Sequence, residues 1–206
     1  MFISSNLINY IALQTAHVSN NGLFHGRMGI ILSLYCYGVA RRDIRLCEYA
    51  KDILQTSTDD YYDGEVGLEN GLAGIGLGFT LLHKAEMFKD DLNDLLFEVD
   101  SKIMKIDPRR FSDFSFREGA SGILYYINMR RTTGQEILTL DQSYITELET
   151  CLSLHKQDCM LSETLLTSLR SPSWNIDEYV GKEVGIDGGN AYFLIQDSYD
   201  KIFSCQ

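Results

Sequence analysis

A nine-residue glycine pattern recurs four times along this chain, and it limits the possible folds more than any other feature. The copies are Gly22–Ile30 (GLFHGRMGI), Gly67–Ile75 (GLENGLAGI), Ser115–Ile123 (SFREGASGI) and the weaker Gly185–Phe193 (GIDGGNAYF). The shared order is a small residue, an apolar residue, two variable positions, glycine, two residues, glycine and an apolar residue. The central glycines Gly26, Gly71, Gly119 and Gly189 stand 45, 48 and 70 residues apart. The first two intervals suit a helix–turn–helix unit, and the third holds a unit with a longer loop or one lost copy. Each copy runs into an apolar helical segment: Ile30–Val39, Ile75–Leu82, Ile123–Met129 and Phe193–Ile195. More polar amphipathic stretches, such as Ile44–Gln55 and Asp91–Met104, lie between them. The reading is an all-α fold in a single domain over residues 1–206. Its α/α helical-hairpin repeats, each with a polar outer and an apolar inner helix, form a partial, open α/α toroid. Four tight helix contacts in an irregular bundle are the plainer alternative.

The glycines have physical roles in this scheme. The first ends a loop and permits unusual φ. The central one opens the helix without a side chain. The last lies on the same helical face and lets a neighbouring helix backbone approach. Gly74-Ile-Gly-Leu-Gly78 is read the same way, as helix packing, because no strand precedes it as a nucleotide loop would require. Gly119-Ala-Ser121-Gly122 has its second glycine too early for a nucleophile elbow, so Ser121 is a small helix-face residue.

Composition narrows the partners. The formal charge is -11, and a surface that acidic repels phosphate backbones, so nucleic acid is excluded as a partner. Arg41, Arg42 and Arg45, the densest basic patch, read as a solvated helix face. The apolar runs Met28–Ala40 and Leu72–Leu82 are too short to span a bilayer, which argues against a membrane partner. The N-terminus has no basic stretch or cleavage site of a signal peptide, so a cytoplasmic location is expected. Five cysteines, an odd number, suit reduced thiols, with Cys36 and Cys47 packed as structural groups.

The two positions before each central glycine are the functional candidates, because all copies should present them at the same end of the inner helices. They are Phe24 and His25, Glu69 and Asn70, Arg117 and Glu118, and Asp187 and Gly188. Of these, His25, Glu69, Asn70, Arg117, Glu118 and Asp187 are the binding candidates for a concave face. Carboxylates and histidine gathered there suit metal binding or acid–base work, and each taken singly also suits local capping. Cys151, His155 and Cys159 are weak metal candidates. Their four-residue spacing makes one helical stripe, over which three ligands reach one zinc ion poorly. The acidic–aromatic stretch Asp59–Glu65 reads as a solvated loop or the lining of a carbohydrate or peptide groove.

Gly67–Ile75 with its continuation Gly-Leu-Gly-Phe-Thr-Leu-Leu resembles the repeat signature of lanthionine synthetase C-like proteins, the lanthipeptide cyclases. Gly22–Ile30, Arg117–Ile123 and Gly188–Tyr192 are similar. The resemblance implies an α/α toroid with a zinc ion at its mouth, and addition of a peptide cysteine thiol to a dehydrated Ser or Thr. It also implies a cysteine after a tryptophan and a Cys-His pair at the start of an inner helix. Here Asn175 follows the only tryptophan, Trp174. Asp187 and Gly188, or Val184 and Gly185 in a shifted frame, stand where the pair would be. The chain is also about half the usual family length. The family zinc ligands are thus absent and no cofactor is expected, zinc remaining the one possibility. The implied role is a shortened peptide-binding or accessory component of ribosomal-peptide modification, whose partner is a peptide substrate or a modifying enzyme. Two alternatives stay open. One is a glycosidase-type enzyme that uses the concave-face carboxylates. The other is a structural protein whose open toroid end is completed by another chain or by a second copy of itself.

Overall fold

The computed structural model describes residues 3–57, 65–155 and 164–203. Among them every regular element is helical, as expected. The helices are α1 (Ser5–Thr15), α2 (Arg27–Arg41), α3 (Ile44–Ser57), α4 (Leu72–Lys84), α5 (Leu92–Ile103), α6 (Ala120–Arg131), α7 (Gln142–Leu154), α8 (Leu165–Ser168) and α9 (Ala191–Phe203). A 3-10 turn at Pro108–Arg110 leads from α5 towards α6. No described helix is long and apolar enough to cross a membrane.

Outer and inner helices begin differently. Helices α1, α5 and α7 start on Ser4, Asp91 and Asp141, whose side chains accept backbone N–H groups of the first turn. Helices α2, α4 and α6 start on Gly26, Gly71 and Gly119 with no side-chain cap. Their orphan donors go instead to the loop that precedes them. Arg27 N–H donates to Asn20 O (2.8 Å), Leu72 to Glu65 (3.0 Å), Ala120 to Asp113 (3.1 Å) and Asn190 to Glu183 (2.9 Å). The step is the same in all four copies, so the weak fourth copy shares the backbone design of the others.

The inner helices pack side by side. Helix α2 lies between α4 and α9 and is backed by α1 and α3; α4 also contacts α6 and is backed by α5; α7 backs α6. The core is made of side chains such as Ile31, Leu34, Leu77, Leu81, Ile123, Tyr126, Leu194 and Ile195, all buried. Glycines admit close contacts in this layer: a Cβ on Gly78 would lie 2.2 Å from Met28 Cγ, and one on Gly76 would lie 2.7 Å from the Tyr126 ring. The packing role expected for Gly74–Gly78 therefore holds. The hydroxyl of Tyr125 in α6 accepts the Leu165 N–H at 3.3 Å and so ties α6 to α8. Arg41 at the end of α2 pairs with Asp197 of α9 at 2.6 Å, and Arg42 is the left-handed cap of α2 at φ 58°. Arg41, Arg42 and Arg45 are exposed, as expected, but they lie at the corner between α2 and α3 rather than on one helix face.

The motif loops lean on one another in a fixed direction. Equivalent third positions are bonded in series: Asp187 N–H to Phe24 O (3.1 Å), Phe24 N–H to Glu69 O (2.9 Å) and Glu69 N–H to Arg117 O (2.9 Å). The apolar second position of each loop packs on the last glycine of the next: Ile186 on Gly29, Leu23 on Gly74 and Leu68 on Gly122. The first glycine faces the next loop's backbone, with a Cβ on Gly22 only 2.7 Å from Asn70 Cα and one on Gly67 only 2.7 Å from Glu118 Cα. This corrects two expectations. The first glycine is needed for close approach rather than for unusual φ. The last glycine makes room for its own loop's carbonyl and the neighbouring loop's side chain rather than for a helix backbone.

Copies three and four are not adjacent in this series. The segment Ser168–Arg170, which runs out of the end of α8, stands between them. Gly188 N–H donates to Arg170 O (2.8 Å), and Arg117 Nη1 donates to Ser168 O (3.0 Å). The circuit of loop contacts thus returns to copy three. The two breaks in the glycine pattern fall at this seam. Ser115 replaces the first glycine of copy three and is exposed, with no following loop pressed against it. Tyr192 replaces the last glycine of copy four, where no apolar second position arrives.

Candidate functional site

The series of third-position bonds gathers the N-terminal ends of α2, α4, α6 and α9 at one crown of loops. It also gathers most of the candidate side chains. His25 Nε2 is hydrogen-bonded to Glu69 Oε1 at 2.9 Å and lies 3.5 Å from Asp187 Oδ2. Arg117 Nε donates to Glu69 Oε2 at 2.6 Å, and its Nη2 donates to Asp187 Oδ2 at 2.6 Å. Its guanidinium also lies over the Phe24 ring, 4.7 Å from the centroid. Four of the six binding candidates, His25, Glu69, Arg117 and Asp187, therefore form one network.

Asn70 and Glu118 stand beside this network. Asn70 Oδ1 accepts from Asn20 Nδ2 at 3.0 Å and so ties the second loop to the chain just ahead of the first. Glu118 is exposed, and its backbone is the surface against which Gly67 packs. Desolvation, and then the charges of Glu69 and Glu65, push its carboxyl upward.

The sequence reading missed Arg170. Its backbone N–H donates to Asp187 Oδ1 at 2.6 Å, and its Nε and Nη2 reach Oδ2 at 3.0 and 2.8 Å. Arg170 lies outside the glycine motif, so no repeat register marks it. Trp174 has a structural partner rather than a place in this network: its Nε1 donates to Asn190 Oδ1 at 3.1 Å.

The electrostatics follow from burial. The Asp187 side chain is 1 % exposed, and a carboxylate so enclosed must be paired. Burial raises its pKa, but Arg117 and then Arg170 outweigh burial and hold it below the ordinary value. Glu69 is also held down, first by its hydrogen bond from Arg117. Burial works against the Arg117 charge, yet Glu69 and Asp187 keep its pKa above the usual guanidinium value. Two carboxylates and two guanidiniums balance, and the His25 side chain, 34 % exposed, and Arg170, 66 % exposed, form the open side.

His25 Nε2 and one oxygen each of Glu69 and Asp187 lie within 4.8 Å of one another, which is a possible reach for a metal ion. The donor set does not fit a resident ion, because each carboxylate already takes a guanidinium at 2.6 Å. A divalent ion there would face two fixed positive charges. Zinc of the kind the resemblance implies would also want thiolate, which no residue of this network supplies. The other metal candidates do not assemble among the described residues. His155 Nδ1 is bonded to the carbonyl of Cys151 at 2.9 Å, and its ring stacks on Phe114 at 4.0 Å. Cys159 and residues 59–64 of the acidic–aromatic stretch lie outside the described residues. Cys36 is buried and free, as expected, and Cys47 is half-buried and free. No protein-family model matches the chain, and no curated protein sequence matches it.

Proposed function

We propose that the chain is a lanthionine synthetase C-like protein that binds a peptide at the loop crown, as an accessory component of peptide modification rather than as a zinc enzyme. One observation carries this reading: the variable positions of four repeats converge on one ion network whose open side is His25 and Arg170. The imidazole and an exposed guanidinium suit peptide carbonyls and carboxylates, and Phe24 and Glu69 brace the network from beneath. Both buried-side carboxylates are committed to arginine, which favours recognition over chemistry. Fluorescence anisotropy with a labelled synthetic peptide rich in Ser, Thr and Cys tests the reading. Saturable binding that is lost in both His25→Ala and Arg170→Met supports it. Binding that survives both changes, or no binding by any of a panel of such peptides, refutes it.

The glycosidase-type alternative has one observation in its favour: Glu118 is pushed upward beside a Glu69 that is held ionised. Hydrolysis of nitrophenyl glycosides that disappears in Glu118→Gln would establish it in place of peptide binding.

A further inference from the structure

Among the described residues, Arg117 is the one side chain that meets every member of the loop circuit. It belongs to the third loop. It stacks on Phe24 of the first, binds Glu69 of the second at 2.6 Å, binds Asp187 of the fourth at 2.6 Å, and donates to Ser168 O of the intervening segment at 3.0 Å. A divalent ion held by His25, Glu69 and Asp187 would bridge the same two carboxylates. Tetrahedral ligands about 2.0–2.1 Å from zinc stand roughly 3.3 Å apart. His25 Nε2 is already 2.9 Å from Glu69 Oε1 and 3.5 Å from Asp187 Oδ2.

From this we infer that the Arg117 guanidinium is the crown's built-in cation: it occupies the role of a bridging metal between Glu69 and Asp187 and closes the loop circuit without one. Guanidinium chemistry suits the task. It is planar, carries five donors in a fixed fork and stays charged when enclosed, so it serves two carboxylates, a carbonyl and a ring face together. A lysine ammonium has three donors at one point and cannot span those directions. Arg170 reinforces the arrangement from the solvent side by adding a second positive charge to Asp187. The inference stands on this geometry and does not depend on peptide binding.

The test begins with the unaltered protein. Its thermal midpoint should be the same after extensive chelation and in millimolar manganese or zinc; a midpoint that falls on chelation overturns the inference. The second arm removes the guanidiniums. Arg117→Met combined with Arg170→Met should bind manganese at least about tenfold more tightly than the unaltered chain, as read by calorimetry. Adding His25→Ala should abolish that gain. Should the double variant not fold alone, it is refolded in millimolar manganese: recovery of helical circular dichroism supports the inference, and no recovery, or no gain in affinity, overturns it. The third arm is Arg117→Lys, which keeps the charge and loses the fork. Its midpoint should fall nearly as far as that of Arg117→Met, and a midpoint equal to that of the unaltered chain counts against a bridging guanidinium.

Discussion

Arg117 precedes α6 and Arg130 lies in its last turn, so one helix has an ion network at each end. Arg130 is 2 % exposed and Asp100 of α5 is fully buried. Arg130 Nη1 and Thr139 Oγ1 both bond Asp100 Oδ2, while Tyr126 Oη donates to Asp100 Oδ1 at 2.6 Å. Arg130 Nη2 reaches Asn93 Oδ1 at 3.1 Å. Every partner comes from the α5–α6 pair or the stretch after α6, and the Asp100–Arg130 pair itself is almost wholly enclosed. The Arg117 network joins four loops and is open on one side. The first is a rivet between two neighbouring hairpins, the second a junction that a ligand can reach. Counting ion pairs does not separate them; which segments supply the partners, and whether any partner remains exposed, does.

The largest expected effect tests the rivet. Asp100→Ala leaves Arg130 enclosed without its counter-ion and should cost about 3–5 kcal/mol in urea unfolding. Asp100→Leu with Arg130→Met should recover most of that loss, because the cost lies in the orphaned charge. Arg117→Met should cost less, about 2–3 kcal/mol, since water can reach Glu69 from the open side. If Arg117→Met proved the more damaging change, the contrast between rivet and junction would be wrong.

Acid sharpens the same contrast. Glu69 and Asp187 have folded pKa values below the ordinary carboxyl value, so their contribution is present above that range. It is lost as pH falls through the lowered values. Glu118 has the opposite sign: its raised value costs stability when it is ionised, and that cost is relieved as pH falls through it. Thermal midpoints should therefore rise slightly on mild acidification and then drop, and Glu118→Gln should erase the rise. Arg170→Met, at a mostly exposed site, should change stability by no more than about 1 kcal/mol while abolishing peptide binding in anisotropy. Smallest of all, Glu118→Gln at neutral pH should stabilise by only about 0.5 kcal/mol or less in urea unfolding.

The repeat register was legible because backbone capping and close loop contacts exclude side chains, and excluded side chains appear in a sequence as glycine. The same register picked out His25, Glu69, Arg117 and Asp187. It did not show why the glycines are there, since the loops' mutual approach is a tertiary fact. Arg170 escaped notice because it reaches Asp187 from a segment with no motif. Asp100 and Arg130 escaped it too, because each is a charge on a helix that looks solvent-facing until α5 and α6 are placed together. Ser115 and Tyr192 read as decay of the pattern, but both mark the seam where Ser168–Arg170 intervenes.

The directional lean of the loops has a consequence for how the protein is made. Ile186 packs on Gly29, and α9 flanks α2, so α2 is supported on one side by a segment synthesised long after it. Until residues 185–203 emerge, that flank of α2 stays bare. The nascent chain therefore carries an uncovered apolar flank until those residues arrive, and aggregation is the hazard of that interval.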